Sequence, residues 1–234
     1  MKKRLLSFLL TGSLLLMLLP TAALAEDTAA LSGGELLTKD NISTYVNKDL
    51  GGGSYVLSDD ITVESGSLRF GGTASLDLSG HRLTFNAPAE TKISSFGSEG
   101  LDYVLHAGIV VSGTMTLTDS SEDLRGTLDV RGTGNTGVLV TPGANFTMTG
   151  GTITNSTPDN NRGYGLAVFD ATATMTGGKI TGEKSCGVWT TDATTNNIPR
   201  SFTMSGSAVI SDCGGGVDGA GYGGGVRIDA GRCV

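Results

Sequence analysis

The sequence predicts an all-β fold, a solenoid of short parallel strands about seven rungs long and closed by an N-terminal cap. Three observations carry this prediction. Nearly the same text returns at a near-constant period, as "FTMTGGTITN" at 146–155, "ATMTGGKITG" at 173–182 and, blurred, "FTMSGSAVIS" at 202–211. Within each copy apolar residues alternate with Thr or Ser, the period-2 mark of a strand with one buried face. The composition suits short strands joined by tight turns, with 37 Gly and 30 Thr beside only 6% aromatic residues. A hydrophobic content of 38% with regular apolar spacing separates the chain from disordered ones.

The three copies align on Met148, Met175 and Met204, at spacings of 27 and 29. Phe146, Ala173 and Phe202 stand two residues before the Met, and Ile153, Ile180 and Val209 five after it. The intervening "TGG", "TGG" and "SGS" mark a bend after which a second short strand begins. A further ladder opens on Gly each time: "GVLV" (137–140), "GLAVF" (165–169), "GVWT" (187–190) and "GGVRI" (224–228). One period therefore holds two or three strands and returns to its start. An antiparallel sandwich has no need of equivalent positions at a fixed period. A parallel coil does, because each residue sits about 4.8 Å above its counterpart in the rung below.

The text before 137 fits the same plan less regularly, in "GGGSYVLSDDITVESGSLRF" (51–70), "ASLDLSGHRLTFN" (74–86), "GIVVSGTMTLTD" (108–119) and "GTLDV" (126–130). Residues 51–234 then make a column about 35 Å tall. Residues 26–50, with "GGELLTKDNISTYVNKDL" at 33–50, read as a cap over the first rung, partly helical in pattern. The far end stops at "VRIDAGRCV", one strand into a rung. The expectation there is a coil incomplete at its C-terminus, or an end covered by self-association.

Residues 1–25 read as a secretory signal. Lys2, Lys3 and Arg4 precede the apolar run "LLSFLLTGSLLLMLLP", and "TAALA" ends at Ala25. A membrane anchor needs roughly 20 apolar residues, and this run is broken by Thr11, Gly12 and Ser13. Cleavage removes three of the 16 basic residues and none of the 23 acidic ones, moving the net charge from −7 to about −10. An acidic surface argues against nucleic acid and anionic lipid as partners. The expectation is a secreted or cell-surface protein with no membrane span once the signal is gone.

Candidate chemistry is sparse. The doublets Asp59–Asp60 and Glu122–Asp123 lie in turn-like text, where Asp bonds the local backbone, and neighbours along a strand point to opposite faces. Asp170, Asp192 and Asp229 each follow the first strand of a rung, in "AVFDA", "VWTTDA" and "VRIDA". Two roles fit them: loop capping, the commoner use of Asp in such text, and a stacked column offering oxygens to Ca²⁺. Cys186, Cys213 and Cys233 are an odd number in an exported chain, so one at least is unpaired. Cys186–Cys213 is the candidate bridge between successive rungs, and free thiols fit the sequence equally. His81 and His106 have no nucleophile and acid at motif spacing, and no phosphate loop, dinucleotide fingerprint or zinc spacing occurs.

Two loops interrupt the regular text, "NSTPDNNRGYG" (155–165) and "TTDATTNNIPRS" (190–201). They supply Asn160, Asn161, Arg162, Asn196 and Asn197, with Tyr164 and Trp189 beside them. Amides, a guanidinium and an aromatic plane suit sugar hydroxyls and ring faces, and loops on a rigid scaffold are where binding is usually built. Polar loops of the same kind also occur in solenoids that bind nothing there.

"GGGSYVLSDDITV", "LDLSGHRLTF" and "FTMTGGTITN" resemble the opening and body of right-handed parallel β-helix proteins of the pectate-lyase-like superfamily, above all adhesin-like surface and secreted proteins of gut bacteria. The resemblance covers residues 45–234 and implies the fold far more than an activity. It also implies a structural hydrogen-bonding role for His81. Enzymes of that superfamily cleave acidic polysaccharides with an acidic calcium cluster and a basic residue, or with several Asp on one face. Neither pattern stands in this text. The functional expectation is an exported, non-enzymatic, adhesin-like module for a glycan or a surface protein. The alternative is a divergent or truncated polysaccharide lyase or glycoside hydrolase.

Overall fold

A computed structural model describes residues 34–94, 102–132, 134–156, 163–183, 185–191, 200–214, 224–229 and 232–233. Strand β1 (Glu35–Leu37) and a 3-10 turn (Ile42–Thr44) come first. The chain then coils through β2 (Gly53–Leu57), β3 (Ile61–Val63) and β4 (Leu68–Phe70), and next β5 (Thr73–Asp77), β6 (Arg82–Phe85), β7 (Glu90–Ile93) and β8 (Tyr103–Val111). The third turn holds β9 (Thr114–Thr118), β10 (Thr127–Val130) and β11 (Asn135–Val140), and the fourth β12 (Asn145–Met148), β13 (Thr152–Thr154) and β14 (Tyr164–Phe169). The fifth holds β15 (Thr172–Met175), β16 (Lys179–Thr181) and β17 (Cys186–Thr191). The last turn comprises β18 (Ser201–Met204), β19 (Val209–Ser211) and β20 (Gly224–Ile228), before β21 (Arg232–Cys233).

Strands of one turn go to three different sheets. The first sheet runs β1-β2-β5-β9-β12-β15-β18-β21, the second β3-β6-β10-β13-β16-β19, and the third β4-β8-β11-β14-β17-β20. Every pairing along these paths is parallel; among the described residues β7 alone lies antiparallel, on β8. From β2 onward, β7 and β8 apart, sequential strands pair not with each other but with the strand one period away, which is the pattern of a parallel β-helix. Residues 34–50 join the same plan: β1 pairs with β2, and Leu37, Ile42, Tyr45, Val46 and Leu50 pack on the core.

Register explains the repeat. Met148 pairs with Met175 and Met175 with Met204, while Phe146, Ala173 and Phe202 form the neighbouring inward column. The bend between the first and second sheets needs a backbone with positive φ, at Gly151 (78°) and Gly178 (79°). One expected column is corrected. Ile153 and Ile180 stack not under Val209 but under Ile210, because the third copy carries one extra residue between Met204 and β19. A one-residue slip exchanges the faces of a strand, so Val209 points to water and Ile210 to the core.

Gly137, Gly165 and Gly187, which open three of the ladders of the third sheet, have a steric reason. There the chain passes from the second sheet to the third, and Ile153, Ile180 and Ile210 press against the backbone of β11, β14 and β17. A Cβ at Gly187 would stand 2.5 Å from Ile210 Cγ2, and one at Gly137 or Gly165 would collide with Ile153 or Ile180 more severely. The missing side chain lets the isoleucine fill the corner.

Candidate functional site

The third sheet is buried on both faces over β11, β14 and β17. Its inner face lines the coil. Its outer face carries a second apolar cluster of Val110, Leu139, Ala167, Phe169, Cys186 and Trp189, roofed by Ile93 and Leu105 of the β7–β8 hairpin. The runs "GIVV" and "GLAVF" are nearly continuous apolar text, which is how a strand covered on both sides reads.

Aromatic rings form the centre of this outer cluster. Trp189 stacks on Tyr164 of the preceding turn, with centroids 4.7 Å apart and planes 28° from parallel. Phe169 and Tyr103 meet it edge-on at 5.1 and 5.7 Å, geometries that the ring quadrupole favours. From the following turn the Arg227 guanidinium lies 5.7 Å from the Trp189 centroid. Trp189 is thereby 7% exposed and is the keystone of the cluster rather than an open platform. Tyr164 and Tyr103 remain half-buried and carry the aromatic surface that faces outward.

Charged groups around the rings are engaged with each other. Asp229 accepts hydrogen bonds from Trp189 Nε1 at 2.9 Å and Arg227 Nε at 2.7 Å. Burial works against its carboxylate, but these two donors outweigh it and hold its pKa below the ordinary range. Asp170 is fully buried, has φ +44°, and stands against Arg200 at the root of β18. The stacked Asp column is not formed by these two residues. Phe169 pairs with Thr191 and Thr190 with Ile228, so Asp229 falls level with Thr191 and one residue out of step with Asp170. Among the described residues no three His, Cys, Asp or Glu side chains gather in metal-binding geometry. Asp192 lies outside the described residues, as do Asn160, Asn161, Arg162, Asn196 and Asn197.

Cys186 and Cys213 occupy successive turns as expected, but they are free thiols in different columns. Cys186 pairs with Tyr164 and Gly224, and its side chain joins the outer cluster. Cys213 follows β19, packs on the inner core and lies level with Glu183, whose carbonyl accepts the Gly214 N–H at 2.7 Å. The backbone of Gly187 comes between, with Cys213 Sγ 3.2 Å from the Cβ it lacks. Opposite sides of one strand are not bridging geometry.

The acidic doublets prove to be turn residues. Asp60 accepts the Arg82 N–H at 2.8 Å with His81 Nδ1 at 3.5 Å, and Asp123 pairs with Arg125. Three buried acids escaped the sequence reading. Asp119 accepts from the Gly80 N–H (2.8 Å), the Gly126 N–H (2.6 Å) and Ser121 Oγ (2.8 Å). Asp129 takes Arg82 Nη1 and Arg131 Nε, each at 3.1 Å, on one carboxylate oxygen and the Ser156 N–H on the other. Glu183 is the third, buried with Oε2 lacking any hydrogen-bond partner. Their signal in the sequence is position: each stands within two residues of the end of a strand.

No family profile, curated protein or solved structure matches the chain.

Proposed function

We propose that the chain is an exported β-solenoid that binds rather than catalyses, an adhesin-like module whose ligand is a glycan or a surface protein. One observation carries this reading: an aromatic cluster, dispensable to the interior of the coil, is built on the outer face of the third sheet at the roots of the two irregular loops. Tyr164 and Tyr103 are only partly buried there, and aromatic rings at a surface suit the CH surfaces of sugars. The carboxylates at the same place are held by Arg227, Trp189 and Arg200, which favours a scaffold role for them over proton transfer.

Finer features belong to the same proposal. The coil is right-handed and of the pectate-lyase-like kind, as in adhesin-like proteins of gut bacteria. Residues 1–25 are removed on export, and Ca²⁺ is a candidate cofactor through Asp192. The test is a glycan screen with and without Ca²⁺, repeated on Tyr164→Ala. Ligands retained by the wild type and lost by Tyr164→Ala support the reading. Turnover of uronic-acid polymers that disappears in Asp170→Asn would overturn it in favour of a lyase or hydrolase.

Self-association is a second reading, favoured by the last turn. Met204, Val226 and Ile228 continue buried columns yet are each 38% exposed. Sedimentation as a concentration-independent monomer would exclude pairing through that end.

A further inference from the structure

Glu183 lies just past β16, at the corner where the second sheet gives way to the third. It is 1% exposed, and its Oε2 has no hydrogen-bond partner. The carboxyl reaches across turns. A Cβ on Gly163, one turn back, would stand 3.2 Å from Glu183 Oε2 and 2.9 Å from the Asn135 carbonyl, two turns back. Ser156, level with Glu183 in the turn below, is tied by its N–H (2.9 Å) and Oγ (2.7 Å) to Asp129. On the other side sits Cys213, and the Gly214 N–H closes on the Glu183 carbonyl.

The charges facing this corner decide its chemistry. Asp129 is fully buried and already accepts from two arginines, Arg82 and Arg131, so neither guanidinium is turned to Glu183. Near Cys213 stand Asp212 and Lys179, an exposed pair 4.0 Å apart. Nothing among the described residues compensates a charge on Glu183. A buried carboxylate without donors is among the costliest groups a fold can hold.

We infer that Glu183 is a proton-operated latch: neutral, it is tolerated inside the shut corner between the second and third sheets, and ionised, it forces that corner open and exposes the half-buried Cys213 further. Burial first, and the charge of Asp129 second, push the Glu183 carboxyl up to about 8, within reach of mildly alkaline surroundings. The Gly214–Glu183 backbone bond is the element that opens, because it joins the latch to the segment carrying the thiol.

Site-resolved alkylation of Cys213 in the full chain, on either side of pH 8, tests this in wild type and in the isosteric Glu183→Gln. The two hypotheses differ in sign. If the corner stayed shut, a carboxylate beside Cys213 would hold the thiol's pKa further up and slow its alkylation relative to Glu183→Gln. The latch predicts the reverse, Cys213 alkylated severalfold faster in wild type on the alkaline side and equally in both on the acid side. Equal or slower labelling of wild type above pH 8 overturns the proposal. Should Glu183→Gln fail to fold, amide exchange of Gly214 in wild type decides. An acceleration above pH 8 beyond the base-catalysed slope supports the latch, and that slope alone refutes it.

Discussion

Gly165 and Ile180 set the width of the coil at one corner, and the pair can be tested as a unit. Gly165→Ala places a Cβ into Ile180 Cγ2 and should cost about 1–3 kcal/mol through overpacking. Ile180→Ala removes the obstacle at its own cost of about 2–5 kcal/mol. In the double variant the Cβ enters the space vacated, so the summed single losses should exceed the double loss by at least about 0.5 kcal/mol in urea melts. Strict additivity would show that the Gly187 carbonyl, 2.9 Å from the same Cβ, excludes a side chain at 165 rather than Ile180. Glu183 gives a second test at this scale, with a definite sign. Its folded pKa, about 8, lies above the ordinary 4.5, so the native state holds a proton that the unfolded chain releases. Stability should therefore fall as pH rises from about 4.5 to about 8 and level off beyond, and Glu183→Gln should remove that part of the slope. An unchanged slope in the variant would mean that other groups set it. In the sequence the glycine was visible as the first letter of every ladder, but its reason was not, since the residue it accommodates lies on another strand.

Among the described residues the β7–β8 hairpin is the one element that leaves the parallel scheme, and its attachment should depend on the outer cluster. Phe169 contacts Tyr103 and Trp189 and faces away from the coil interior. Phe169→Ala should cost up to about 3–5 kcal/mol and should free the amides of β7 to exchange well before those of β12 or β15. Uniform loosening of all three strands would show instead that the outer and inner clusters unfold as one. The same element explains where sequence reasoning stopped. The inward columns were legible because each rests on two neighbouring copies of the same text. The outer cluster draws Ile93, Tyr103 and Leu105 from a hairpin inserted once, which no period reveals. The sequence left the cysteine pairing open for a related reason: rung spacing fixes height along the coil but not the side of the strand on which a thiol falls. Val209 was misplaced by a single inserted residue, the smallest change that exchanges inside for outside.

The described turns from residue 34 onward stack in one dimension, each stabilised by the turns directly above and below. The same residue type in the same column should therefore matter according to its position along the coil. Met175 has a complete turn on either side and is fully buried, whereas Met204 of the last full turn is 38% exposed. Met175→Ala should cost about 2–5 kcal/mol, because the cavity it leaves is walled by Met148 and Met204 and cannot collapse. Met204→Ala, in contact with solvent, should cost below about 1 kcal/mol. Paired urea melts check this, and the m-value adds a further criterion. A break in the middle of the column should let the two halves unfold separately and lower the apparent m, while a change at the end should leave m as it was. Equal losses at the two positions would mean that the last turn is covered in solution as fully as the middle ones. Dilution then separates the causes: a loss at Met204 that shrinks as protein concentration falls identifies a second copy of the chain as the cover.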